Sequence, residues 1–99
     1  MESREYLNSL FDIYKELLTN IEQDTFTSYY VEDLSLSEIA ENRGISKSSV
    51  GKTLGSVESK LNDYEQKLKI YQTKTELKTI LEEQKIENIK ERLTTIIKS

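Results

Sequence analysis

Cysteine, histidine, proline and tryptophan are all absent from this 99-residue chain, and glycine occurs only three times. Without cysteine there is no disulfide and no thiolate metal site, and without histidine there is no imidazole for acid–base or nucleophilic catalysis. These absences point away from an enzyme, and neither a metal nor a cofactor is expected. The lack of proline, with abundant Leu, Ile, Glu, Lys and Ser, favours helices joined by short polar turns. No run of apolar residues is long enough to span a bilayer, so no membrane insertion is expected. Met1-Glu2-Ser3-Arg4-Glu5 has neither a basic nor an apolar leader region, which makes the expected location cytoplasmic.

What the chain does have is charge, unevenly placed. Charged residues make up 32% and hydrophobic ones 35%, so a core can form only if apolar positions share single faces of amphipathic elements. The length is that of one ordinary domain. Residues 1–42 carry two basic and ten acidic groups, a net of −8, within a whole-chain charge of −4. In residues 43–60, Arg43, Lys47, Lys52 and Lys60 face Glu58 alone, a net of +3, so an anionic partner should meet the middle of the chain.

Leu7, Leu10, Phe11, Tyr14, Leu17, Leu18 and Ile21 follow at steps of mainly three and four, the pattern of one amphipathic helix. Thr19 with Glu22 has capping-box spacing and predicts a second helix carrying Phe26, Tyr29 and Tyr30. Ser35 with Glu38 repeats the spacing and opens a third, short helix that Gly44 stops. Ser46 caps a fourth, whose apolar residues Val50, Leu54, Val57, Leu61, Tyr64, Leu68 and Tyr71 keep a heptad rhythm. Such a helix, from Ser46 to Tyr71, would be roughly 40 Å long, too long to hide against so small a body. A last amphipathic helix opens near Thr73 to Thr75, with Leu77, Ile80, Leu81, Ile89, Leu93, Ile96 and Ile97, and is interrupted at Glu82-Glu83-Gln84-Lys85. It either folds back, forms half of a dimer interface, or frays.

The third and fourth helices meet the residue demands of a helix-turn-helix. Leu36, Ile39 and Ala40 form the apolar face of the first, with Ala40 small enough for a close crossing. Gly44 permits the sharp turn, Ile45 plugs the core beneath it, Ser46 caps the second helix, and Val50 and Leu54 anchor it. An ordinary helical hairpin shares the Ser caps and the Gly stop, but here the small and turn residues fall in the order the motif requires. Arg43, Lys47, Ser48, Ser49, Lys52, Thr53 and Ser56 are then the candidate nucleic-acid-binding residues. Lysines suit phosphates, and hydroxyls suit backbone or base edges. Beyond Arg43 at the turn, the recognition helix presents no Arg, Asn or Gln for bidentate base contacts, so sequence readout should be weak.

Gly51 and Gly55 share a face of the fourth helix, where each costs about 1 kcal/mol relative to Ala. Either they form a smooth strip for close approach by a partner, or a strong heptad face tolerates them. Leu61, Tyr64, Leu68 and Tyr71 are the candidate partner or dimer interface, the alternative being an intramolecular bundle. A homodimer would pair two recognition helices. The acidic pairs Glu32-Asp33 and Glu82-Glu83 are adjacent, do not share a helix face, and read as solvated surface. Tyr6, Tyr14, Tyr64 and Tyr71 lie on or beside apolar stripes and read as packing groups; Tyr29 and Tyr30 stay open between packing and stacking.

The run Tyr29-Tyr30-x-x-Asp33-Leu34-Ser35-Leu36-x-Glu38-Ile39-Ala40-Glu41, then Gly44-Ile45-Ser46-Lys47 and Val50, resembles the YlxM-like family. So does Glu58-x-x-Leu61-x-x-Tyr64-Glu65-x-Lys67-Leu68; the likeness covers roughly residues 1–72. The resemblance implies a bacterial helix-turn-helix protein like region 4 of sigma factors, encoded beside the signal recognition particle GTPase, with a regulatory role in that pathway. This chain departs from the family pattern at Lys47, where Arg is usual, at Gly51, where the usual residue is bulkier, and at Gly55-Ser56, where a basic pair is usual. Lysine lacks the planar fork of arginine.

The expectation is an all-α, small helical bundle with a sigma factor region 4-like helix-turn-helix, a long heptad-patterned helix and a C-terminal helix. Residues 1–72 form the helix-turn-helix domain, and residues 73–99 form a helix packed on that domain or on a dimer partner. The expected partners are duplex DNA or structured RNA and signal recognition particle components, met by a homodimer. The alternative is a non-enzymatic protein–protein adaptor that keeps the fold without reading DNA sequence.

Overall fold

The computed structural model describes residues 3–98, and these residues are all-α, with five helices and no strand. They are α1 (Arg4–Tyr14), α2 (Asn20–Phe26), α3 (Leu36–Arg43), α4 (Lys47–Leu68) and α5 (Ile70–Lys98). The chain divides into two units after Lys69. No helix is long and apolar enough to cross a membrane among the described residues.

Four of the helix starts in the first unit follow from side-chain capping of orphan N–H groups. Ser3 accepts from the Tyr6 N–H, and Ser46 accepts from that of Ser49. Thr19 with Glu22 and Ser35 with Glu38 form complete capping boxes, as their spacing predicts. Gly44 ends α3 at φ 65°, ψ 35°, the left-handed conformation that glycine enters without a Cβ penalty. The Ile45 N–H then reaches back to the Ala40 carbonyl at 3.0 Å, closing a Schellman turn. Ile45 does this with its backbone. Its side chain is 45% exposed and plugs no core, because the closing bond fixes the main chain while the left-handed turn carries the side chain outward.

The first apolar segment is not one helix. α1 stops at Tyr14, a 3-10 turn spans Lys15–Leu17, and Leu18 is buried while Leu17 and Ile21 are exposed. A Thr19 cap needs extended backbone, and Thr19 has φ −69°, ψ 162°, so the cap and the expected continuous stripe exclude each other. After α2 the chain widens into one π-helical turn, Thr27–Val31, which carries Tyr29 and Tyr30.

The core of the first unit joins Leu7, Leu10, Phe11, Tyr14, Leu18 and Phe26 to Ile39, Ala40, Val50, Leu54, Val57 and Leu61, all buried. Phe26 stacks on Phe11 at 4.3 Å between ring centroids and on Tyr30 at 4.6 Å. The inward face of α4 is Val50, Leu54, Val57, Leu61 and Glu65, not the heptad series through Tyr64. A straight helix turns every 3.6 residues, so over several turns its inward position drifts from a 3.5-residue rhythm. Glu65 can occupy the buried place because the Tyr14 hydroxyl donates to its Oε1 at 2.6 Å.

α4 ends at Leu68, short of the expected Tyr71, because Lys69 turns left-handed at φ 54° and its N–H donates to the Glu65 carbonyl at 2.8 Å. No glycine marks this break. The second unit is α5 alone, opening at Ile70 and passing unbroken through Glu82-Glu83-Gln84-Lys85, since those residues are all adequate helix formers despite their polarity.

Candidate nucleic-acid interface

The recognition helix is positioned by one small cluster. Ile39 and Ala40 of α3 pack on Val50 and Leu54 of α4, with Tyr29, Tyr30, Leu34 and Leu36 partly buried around them. Ala40 has the small side chain that lets the two helices cross closely, and Gly44 sets their turn. With Val50 and Leu54 locked inward, the 3.6-residue period turns Ser48, Ser49, Lys52 and Ser56 outward, while Lys47, one turn before Val50, is reached by solvent because it opens the helix; all five are exposed. Thr53 is half-buried.

The outward side chains are not equally available. Ser49 is engaged in the cap, its hydroxyl accepting from Ser46 Oγ at 2.9 Å. The Thr53 hydroxyl donates to the Ser49 carbonyl at 3.1 Å. Arg43 is half-buried and donates to the Thr25 hydroxyl, so its guanidinium is drawn into the fold and away from the outer face. Lys47 and Lys52 enter no ion pair, and Ser48 and Ser56 no side-chain hydrogen bond, among the described residues. From Lys47 to Val57 the helix carries no carboxylate.

Lys60, two turns beyond Lys52, is committed. Its Nζ meets Glu22 Oε2 at 2.6 Å, a contact 38 residues apart in sequence. The ammonium, together with the Thr19 backbone N–H, holds the Glu22 carboxyl below the usual carboxylate range. The same hydrogen bond raises the pKa of the half-buried Lys60. Beside this pair runs an open groove of about 420 Å³ lined by Thr19, Ile21, Glu22, Lys52, Thr53, Ser56 and Lys60. Sequence spacing held no signal for this groove or for the Glu22–Lys60 pair, because the partners come from different helices.

On the other side of α4, the Tyr30 hydroxyl donates to Glu58, and burial, then this bond, pushes the phenol well above its usual pKa. Tyr30 also stacks on Phe26 and lies under the Arg4 guanidinium, 5.6 Å from the ring centroid. Its ring and hydroxyl are thus both engaged within the fold. Adding a Cβ to Gly51 or Gly55 meets nothing within 4 Å, so internal packing does not require glycine at either place.

The residues expected to form a partner interface divide. Leu61 is fully buried within the first unit, which consumes it in the core. Tyr64 is half-buried, its ring 5.9 Å from that of Tyr14 and its hydroxyl donating to the Leu17 carbonyl at 3.3 Å. Leu68 is exposed, and Tyr71 is half-buried in the second unit.

Comparison with known proteins agrees with this architecture. The model of the UPF0122 family, described as "Putative helix-turn-helix protein, YlxM / p13 like", matches residues 1–99. A UPF0122 protein of Mycoplasma capricolum is 50% identical over 62 residues, covering 56% of this chain and 55% of the relative. One from Ureaplasma parvum is 47% identical over 58 residues, 59% of each chain. One from Bacillus thuringiensis is 38% identical over 61 residues, 62% of this chain and 56% of the relative. The chain thus spans little more than half the length of the curated relatives it matches. From its helix-turn-helix geometry and this full-length family match, the chain belongs to the UPF0122 family of YlxM/p13-like helix-turn-helix proteins.

Proposed function

We propose that this protein is a non-enzymatic helix-turn-helix regulator that binds nucleic acid through the outer face of α4, by its phosphates more than by its bases. One observation carries the reading: Lys47, Ser48, Lys52 and Ser56 stand exposed on a stretch of helix without a carboxylate, in a chain that is otherwise acidic. Two unpaired ammonium groups beside small hydroxyls suit a phosphate backbone. The engagement of Arg43 with Thr25 removes the one guanidinium that would make a bidentate contact to guanine. The partner is duplex DNA or structured RNA. The family resemblance adds a role in the signal recognition particle pathway, inside the cytoplasm.

A second reading, a protein–protein adaptor on the same fold, draws support from Gly51 and Gly55. Both stand within a continuous helix without an internal packing need, which leaves a smooth strip for a partner backbone.

Fluorescence anisotropy tests both. Purified protein is titrated with random duplex DNA and with structured signal recognition particle RNA across a salt series. The nucleic-acid reading expects a log–log salt slope of about 0.9 per neutralised duplex phosphate, and loss of binding in Lys47→Glu/Lys52→Glu. No binding at low salt would falsify it and leave the adaptor reading in front.

A further inference from the structure

Lys60 is committed to Glu22 through one bond, yet an ammonium carries three N–H donors. Its side chain is 43% exposed and lines the open groove that α4 shares with the start of α2. Among the described residues it makes no second hydrogen bond or ion pair. The Glu22 carboxylate is divided between two partners. Oε1 accepts from the Thr19 N–H at 2.9 Å and closes the capping box, while Oε2 meets Lys60. The cap therefore stands without Lys60, and the other donors of that ammonium are open to a ligand in the groove.

The groove is continuous with the outer face of α4. Each four-residue step turns a helix about 40° past a full turn, so Lys52, Ser56 and Lys60 form a row that winds from the outer face toward α2. The row rises about 12 Å along the helix axis. Lys52 is exposed and enters no ion pair among the described residues. On the α2 side, Ile21 is 68% exposed and offers an apolar surface suited to sugar carbons. Among the described residues that line the groove, Glu22 is the single carboxylate against two ammonium groups, so the fitting occupant is an anion.

We propose that a nucleic-acid strand held on the outer face of α4 continues into this groove, where Lys60, beside Lys52 and Ser56, binds a backbone phosphate. Glu22 restrains the grip, because it shares the Lys60 ammonium and stands as a second anion in the same groove. Removing that carboxylate would leave Lys60 wholly to the phosphate and take away a close like charge. The inference rests on the nucleic-acid reading of α4, to which it adds a third cation and an opposing carboxylate.

Anisotropy titrations with random duplex DNA and with structured RNA over a salt series test it, with circular dichroism checking helix content in every variant. Glu22→Gln keeps a capping-box residue in place. It should tighten binding at least about threefold at low salt, whereas Asp24→Asn, which removes the same charge from α2 outside the groove, should change it less than about twofold. Lys60→Gln keeps a donor for Glu22; it should weaken binding at least about fivefold and lower the log–log salt slope by about 0.9 on duplex DNA. Lys67→Gln, on the same helix beyond the groove, should do neither. If Lys60→Gln loses helix, the contrast between Glu22→Gln and Asp24→Asn decides. Should Glu22→Gln match Asp24→Asn, or Lys60→Gln match Lys67→Gln, net charge alone is at work and the groove proposal is overturned. The reading of α4 survives that outcome so long as Lys47→Glu/Lys52→Glu abolishes binding. A protein that binds neither nucleic acid at low salt overturns both.

Discussion

The inner and outer faces of α4 belong to the same 22 residues but answer to different constraints. Inward, Val50, Leu54, Val57 and Leu61 are each no more than 5% exposed, and every one is held by side chains from other helices. Outward, Lys47, Ser48, Lys52, Gly55 and Ser56 touch little of the protein itself, and both α4 glycines face open space. A helix has only so many turns to contribute to a core, and here one side does all of that. The other side makes few contacts with the fold, so substitutions there should perturb stability less than substitutions inward.

Mutations should separate the two faces sharply. The largest effect is expected inward: Leu61→Ala removes a fully buried side chain from the centre of the first unit and should destabilise it by about 2–5 kcal/mol, read as a lower urea midpoint. If Leu61 instead served a partner interface, the loss would follow protein concentration. Gly44→Ala comes next. Its φ of 65° is strained for any side chain although space is available, so a loss of about 1–2 kcal/mol is expected in the same measurement.

Outward changes should be smaller and of opposite sign. Gly51→Ala and Gly55→Ala should each stabilise the helix by about 0.5–1 kcal/mol, since neither added methyl meets an atom. If either also weakens binding to nucleic acid or protein, the strip is a contact surface; if binding is unchanged, the glycines are merely tolerated. The smallest effect lies between the faces, at Glu22 and Lys60. The Glu22 carboxyl titrates lower folded than unfolded, so its contribution is present above the ordinary value of 4.5 and disappears as pH falls through the depressed folded value. Thermal melts from neutral to acid pH should show a shallower decline in Glu22→Gln than in the parent. An identical slope would mean the pair contributes nothing to stability.

Much of the first unit was legible without coordinates because its signals are local. A capping box spans four residues, and a glycine after an apolar run stops a helix by its own backbone freedom, so Thr19, Ser35, Gly44 and Ser46 could be placed from spacing alone. The outward set of Ser48, Lys52 and Ser56 followed once Val50 and Leu54 were assigned inward, and the exposure of Lys47 from its place at the start of the helix. The misreadings were of another kind. Ile45 looked like a core residue by composition, Leu17 and Ile21 looked continuous with the first stripe, and Lys69 carries no sign that it turns left-handed.

The sequence by itself determined the all-α class, the capped helix starts and the glycine turn, since each depends on residues within a few positions of one another, and the acidic-to-basic asymmetry, which is a matter of composition along the chain. Only the tertiary structure decided which charges are spent. Arg43 on Thr25, Lys60 on Glu22, and Tyr14 on Glu65 join positions 18 to 51 residues apart. Such pairings depend on how helices cross, and packing, which responds to the shape of every side chain at once, sets the crossing.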